Sequence, residues 1–122
     1  MNEPDLRVSF AGLSLKNPVM TASGTFAARE SGAFYDISRL GAVITKGVAA
    51  EAWAGNPTPR IAETYGGMLN AVGLQNPGAA AYIEHELPYL ANFDVPVIAN
   101  LAGHSVEEYV AVTELLNETN VA

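Results

Sequence analysis

The sequence contains no cysteine, and that absence removes disulfides and thiolate metal ligands from consideration at once. Basic residues are scarce as well: six Lys and Arg stand against thirteen Asp and Glu, a formal charge of −7. These cations are scattered rather than clustered, which argues against a phosphate-tracking surface and against nucleic acid as a partner. No apolar run approaches the ~20 residues that span a bilayer. The opening MNEPDLR lacks the basic-then-apolar order of a signal peptide. A cytoplasmic protein without membrane association is the expectation. Histidine is limited to His85 and His104, which lack acidic companions at ligand spacing, so no metal site is expected.

What is present is a chain of 122 residues, 49% of them apolar, enough for one domain with a sizeable core. In LRVSFAGLSLKNPV, apolar and polar positions alternate on either side of Ala11 and Gly12, the pattern of a β-hairpin. PVMTASG, LGAVITKG and VPVIANLAG are short apolar runs ending in a small or polar residue and a glycine, and they read as buried parallel strands. Between them, Phe34, Ile37 and Leu40, then Ile83, Leu87 and Leu90, recur at helical spacing, with Asn76 and Pro77 as the start of the second helix. Ser105 and Glu108 form a capping box before Tyr109, Val110, Thr113 and Leu116, which are expected on one buried face.

Strands alternating with helices imply right-handed parallel crossovers, in a doubly wound sheet or in part of a (β/α) barrel. Either architecture gathers ligands at the carboxyl ends of the strands, and so brings Ser23, Gly24, Lys46, Gly47 and Asn100 together. Each has two readings. Ser23 can meet a ligand or end a strand in a turn. Lys46 can pair with an anion or extend its ammonium into water. Asn100 can recognise a heterocycle through its amide or occupy a turn. Residues 49–78 are too many for an ordinary βα connection of about 2 to 6 residues and suggest a lid or binding loop. Within TYGGMLNAVGLQNPG, Gly66, Gly67, Gly73 and Gly78 suggest close backbone approach. Consecutive N–H groups around Gly73 form either a nest for a carboxylate or part of a glycine-bearing hairpin. Trp53 can stack on a ligand or simply pack. An anionic heterocycle or a flavin fits these groups, which by themselves do not name a reaction.

NPVMTASGTF, GAVITKG, GNPTPR, GGMLNAVGLQNPG and FDVPVIANLAG, with the spacing between them, closely resemble the dihydroorotate dehydrogenase family, in particular its class 1B catalytic subunits. The resemblance covers essentially the whole chain. It implies an α/β fold in which a β-hairpin precedes the amino-terminal portion of a (β/α)8 TIM barrel. Residues 1–122 would supply the first three β/α units of that barrel, an incomplete domain. It further implies FMN at the carboxyl ends of the strands and oxidation of (S)-dihydroorotate to orotate in de novo pyrimidine biosynthesis. The expected assembly is a homodimer with an electron-transfer subunit, whose FAD and iron–sulfur cluster pass electrons to NAD. By resemblance, Ser23, Lys46, Gly47 and Asn100 contact FMN, with Ala22 and Gly24 shaping the Ser23 contact.

Lys46 also meets the substrate, as do Asn70, Ala71, Val72, Gly73 and Leu74. Asn70 is assigned to the pyrimidine ring, and the N–H groups of Val72, Gly73 and Leu74 to the carboxylate. Arg60 of GNPTPR flanks the site. The family's general base is a cysteine expected downstream of Ala122, together with a later lysine and phosphate-binding turns. The 122 residues alone are therefore expected to be inactive. Alternatives are a noncatalytic barrel fragment when isolated, a class 1A fumarate-linked enzyme, or another FMN barrel acting on dihydropyrimidines. An amide nest favours dihydroorotate, whose carboxylate uracil lacks.

Overall fold

The structure, a computed structural model, describes residues 4–122. The chain begins with β1 (Val8–Phe10) and β2 (Leu13–Leu15), paired antiparallel. Ala11 and Gly12 between them have φ of 46° and 86°, the positive angles that a two-residue turn needs to match the strand twist. Leu15 is buried, whereas Phe10, on the same face of the hairpin but nearer its turn, is exposed.

Three segments run parallel in sequence order. Met20 bridges Ala42. Then β3 (Val43–Ile44) and β4 (Val48–Ala49) pair with two later strands. The long connection that follows carries its own antiparallel hairpin, β5 (Ile61–Thr64) with β6 (Gly67–Asn70), in which every residue is exposed. After it, β7 (Val97–Ile98) lies parallel to β3 and β8 (Leu101–Ala102) parallel to β4. Ala122 N donates to Val97 O at 2.8 Å, adding main chain on the next strand position. Among the described residues no barrel closes, and the α/β architecture consists of small paired sheets.

Helices cover one side of these strands. The first crossover is not the single helix that Phe34, Ile37 and Leu40 suggested. It is α1 (Ala28–Gly32) followed by a 3-10 turn, Ile37–Arg39, capped by the Asp36 carboxylate on Ser38 N. Ile37 is fully buried, whereas Phe34 is 86% exposed. The second crossover runs from α2 (Ala79–Ala81) through a π turn, Tyr82–Glu86, into α3 (Leu87–Leu90). Pro88 lacks an N–H, and its ring crowds the carbonyl four residues back. The wider turn just before it accommodates both effects.

The third crossover is α4 (Val106–Asn117). Ser105 Oγ accepts from Glu108 N at 3.3 Å, and Glu108 Oε2 accepts from His104 N at 2.7 Å, so the carboxylate reaches one residue beyond the cap. The buried face differs from expectation. Val112 and Leu116 are buried, but Tyr109, Val110 and Thr113 face outward, with Val110 51% exposed. The helix rests on β4, β8 and α2 by a stripe spaced four residues apart, and Val110, two positions before Val112, turns away from it.

Two core clusters result. Ala28, Ile37, Val43, Leu90 and Val97 pack between α1, the 3-10 turn, α3 and β3 with β7. Val48, Ala79, Tyr82, Val112 and Leu116 pack between β4, the second crossover and α4. At the amino-terminal end of the strands, Lys16 Nζ donates to Ser38 O at 2.9 Å, to Asp94 O and to Asp94 Oδ2 at 3.0 Å. One ammonium thus ties the first strand to the entries of the other two.

The assignment of the α4 face has a direct consequence. Leu116→Ala is expected to cost about 2 to 5 kcal/mol, whereas Val110→Ala should stay within about 0.5 kcal/mol. The shift of the urea midpoint for each variant measures the difference.

Candidate functional site

The parallel ladder is interrupted where β3 gives way to β4 and β7 to β8. Thr45 N still donates to Ile98 O at 3.1 Å, and Val48 N to Asn100 O at 2.7 Å. Between these bonds, Thr45 Oγ1 accepts from Asn100 N at 3.0 Å. The hydroxyl replaces a main-chain acceptor, so the strands bend without leaving a buried amide unpaired. On the first strand, Thr21 Oγ1 likewise accepts from Ile44 N at 2.7 Å and donates to Ile44 O at 3.1 Å. Neither threonine carries a sequence signal beyond its place near a strand end. Lys46 and Asn100 occupy the bends and are exposed. Asn100 Nδ2 donates to Ser23 Oγ at 2.7 Å, joining the ends of the first and third strands.

The end of the long connection returns to the second strand through reciprocal contacts. Lys46 Nζ donates to Gln75 O at 2.9 Å, while Asn76 Nδ2 donates to Gly47 O. Asn76 Oδ1 accepts from Gly78 N at 2.9 Å and from Ala49 N at 3.4 Å. This amide is 5% exposed, and its main chain exchanges hydrogen bonds of 2.8 and 2.9 Å with Trp53. In the sequence Asn76 reads only as a helix start. Its larger role depends on contacts with residues far back in the sequence.

Residues 70–74 are shaped from beneath by the GNPTPR segment. Asn70 ends β6 opposite Ile61. Ala71 N donates to Arg60 O at 2.8 Å, Asn56 Nδ2 to Ala71 O at 2.9 Å, and Asn56 N to Val72 O at 3.0 Å. Arg60 donates to Asn56 O, to Gln75 Oε1 at 2.8 Å and to Ala54 O at 2.9 Å, so it holds the loop's shape. Gly73 has φ of 74°, and a Cβ there would lie 2.8 Å from Asn56 N. A Cβ on Gly78 would lie 3.0 Å from Ala52 N. The close approaches suggested by these two glycines are therefore made by the chain itself. Among the described residues, the N–H groups of Val72, Gly73 and Leu74 donate to no backbone carbonyl.

A cleft of about 410 Å³ opens at the strand ends. Ser23, Gly24, Lys46, Gly47, Leu74 and Asn100 line it. Trp53 and His104 form another part of the wall. Asn70, Ala71, Val72 and Gly73 lie outside this lining. Gly47 is buried, and a Cβ there would lie 3.3 Å from Ala102 Cβ and 3.5 Å from Leu74, so its small size lets the loop pack on the third strand. A separate apolar cavity of about 320 Å³ lies behind Lys46, with Val43, Val48 and Tyr82 in its wall. Burial, and then the nearby Glu86 carboxylate, push the Tyr82 phenol well above its usual pKa, keeping it neutral. Among the described residues no cluster of three His, Asp or Glu side chains could hold a metal. No helix there is long and apolar enough to cross a membrane.

The sequence profile of the family described as dihydroorotate dehydrogenase matches residues 5–122. The dihydroorotate dehydrogenase B (NAD(+)) catalytic subunit of Alkaliphilus metalliredigens (strain QYMF) is 53% identical over 122 residues, covering 99% of this chain and 40% of the relative. The protein of the same name from Geobacillus kaustophilus (strain HTA426) is 59% identical over 114 residues, covering 93% and 36%. Among solved structures, dihydroorotate dehydrogenase from Eimeria tenella in complex with ferulenol aligns with a TM-score of 0.51 and 20% identity. That alignment covers 81% of this chain and 28% of the other, and the likeness is one of fold. The chain spans about 40% of the length of the curated relatives it matches.

The Asn76 clamp can be tested without a ligand. Asn76→Ala leaves Gly47 O and Gly78 N without their buried partner and should cost about 1 to 3 kcal/mol. Amide hydrogen exchange at Gly78 and Trp53 should quicken more than at Val112, whose helix does not depend on the clamp.

Proposed function

The chain belongs to the dihydroorotate dehydrogenase family, and on that premise we propose that it forms the flavin- and substrate-facing part of a class 1B catalytic subunit. In this reading the assembled enzyme oxidises (S)-dihydroorotate to orotate in the cytoplasm, as a step of pyrimidine synthesis. The first three β/α units of the (β/α)8 barrel are the contribution of residues 1–122. A homodimer and an electron-transfer subunit complete the assembly, and FAD and an iron–sulfur cluster on that subunit relay electrons to NAD.

The observation that carries this reading is an uncompensated cation beside a hydroxyl–amide pair in one cleft. Lys46 has three N–H donors, and its protein acceptor is the neutral Gln75 carbonyl. No carboxylate forms a salt bridge with it among the described residues, although the chain carries a charge of −7. Such an ammonium is suited to anionic ligands. Ser23 and Asn100 lie on the same cleft, where a hydroxyl and an amide can hold the polar edge of a flavin. These groups fit FMN, which when bound would supply the two-electron acceptor that the oxidation requires. Lys46 would fix the substrate carboxylate, assisted by the Val72, Gly73 and Leu74 amides. Asn70 would orient the pyrimidine ring, with Ala71 shaping the strand end beside it. The sequence contains no cysteine, so the family's proton-abstracting base would come from outside these residues.

A second reading, that the 122 residues alone are noncatalytic, is favoured by the wholly exposed β5–β6 hairpin and by the unclosed sheet edges. Open edges and apolar surface promote association rather than a rigid monomer. The test is to express the chain alone and together with the complementary part of a curated relative's catalytic subunit. Bound-flavin absorbance and its bleaching by dihydroorotate are then measured. The pair should be yellow and bleach, while the lone chain should do neither. Bleaching by a monomeric lone chain would overturn the noncatalytic reading, and a colourless, soluble pair would overturn the flavin site.

Two substitutions refine the roles. In the complemented protein, Lys46→Ala should weaken orotate about 10- to 100-fold and reduce flavin retention, the loss of about 1.5 to 3 kcal/mol for a charge-assisted contact. Wild-type retention and turnover would refute the Lys46 assignment. Gly73→Val forces a branched side chain into positive φ against Asn56 and should weaken orotate more than FMN. Equal losses would remove the carboxylate role from this loop.

A further inference from the structure

Trp53 and His104 have no part in the roles assigned above, yet they lie in the same cleft as Ser23, Lys46 and Asn100. Trp53 belongs to the long connection, but its main chain is pinned to Asn76 by paired hydrogen bonds of 2.8 and 2.9 Å, so its position is set by the buried clamp. His104 comes from the other side of the cleft, between β8 and α4. The two ring centroids are 4.0 Å apart, with the planes tilted by 42°. Behind the imidazole, Glu108 Oε2 lies 3.4 Å from Nδ1 and also accepts from His104 N at 2.7 Å. One carboxylate therefore fixes both the backbone and the ring of His104. Nε2 has no hydrogen-bond partner among the described residues.

Core packing does not require this arrangement, because the His104 side chain is 72% exposed. A braced imidazole set at a tilt against the sole tryptophan of the chain offers a planar ligand an apolar aromatic edge together with a polar nitrogen. We propose that the Trp53–His104 pair is a further ligand-contacting element of the cleft. It meets the ring system of the bound flavin, and Glu108 is the positioning residue that holds His104 for that contact. The inference rests on the flavin reading above and adds a wall to it.

The experiment uses the full chain complemented as described, with riboflavin as a ring-only probe and FMN as the phosphorylated one. His104→Ala and Trp53→Leu should each raise the dissociation constant of both probes by at least about fivefold, with similar factors because the contact is to the ring. Both variants should also shift the visible absorption band of bound flavin, a change that a purely structural role would not produce. Glu108→Gln should move the band in the same direction by less, and His104→Gln, which keeps a polar group, should restore part of the affinity. Because His104 is exposed, its variants should keep the wild-type thermal unfolding midpoint. If Asn100→Ala weakens flavin while the His104 and Trp53 variants keep wild-type affinity and spectrum, the pair is not a ligand contact and the flavin reading stands. If the unsubstituted protein binds neither probe, both fall.

Discussion

A connection that leaves a strand end and must return beside it needs a fixed point, and here that point is the buried side chain of Asn76. Its amide donates to Gly47 O and accepts from Gly78 N and Ala49 N, so it joins the second strand to the start of the second crossover. Lys46, one residue before Gly47, reaches back to the carbonyl of Gln75, one residue before Asn76. The two contacts cross-brace neighbouring residue pairs. A buried amide satisfied on both its oxygen and its nitrogen is costly to displace. Trp53, Leu74 and Lys46 inherit their places around the cleft from it.

The cleft itself arises because the sheet is deliberately imperfect at its carboxyl end. A continuous parallel ladder would direct its main-chain groups into neighbouring strands and leave no bend for Lys46 or Asn100 to occupy. Thr21 and Thr45 supply hydroxyls where main-chain partners are lost. The interruption therefore leaves those amides paired, and the polar residues emerge on the exposed side of the bends. Burial and polar exposure are separated along this segment: Val43 and Val48 face the core clusters, and Lys46 and Gly47 between them line the cleft.

Away from the cleft, the chain displays apolar surface in an ordered pattern. Val106 and Val110 follow one line on α4, and Ile61, Met68 and Leu69 lie exposed on the β5–β6 hairpin. The sheet continues past β7 through the Ala122 amide. These surfaces suit continued packing within a larger α/β assembly.

Much of the fold was legible from local pattern. Apolar runs ending in glycine located β3 and β7, whereas PVMTASG, expected as a buried strand, forms only a bridge at Met20 with Val19 exposed; Ser105 with Glu108 marked the start of α4. The rule that ligands gather at the carboxyl ends of parallel strands groups Ser23, Lys46 and Asn100 from local pattern alone. Local pattern could not decide which side of α4 is buried, because Val110 and Val112 are chemically identical and only the position of β4 and β8 tells them apart. Nor could it show the β5–β6 hairpin, whose exposed strands carry no inward-facing apolar set. The glycines at 73 and 78 signalled crowding correctly in kind, but Asn56 and Ala52 are the neighbours that crowd them. The sequence by itself determined the alternation of parallel strand segments with helical crossovers and the chemical types at the strand ends, since both depend on residues close together in the chain. The tertiary structure alone decided the Asn76 clamp, the Thr45–Asn100 substitution in the ladder and the Trp53–His104 contact, because each depends on a contact distance between segments that only packing brings together.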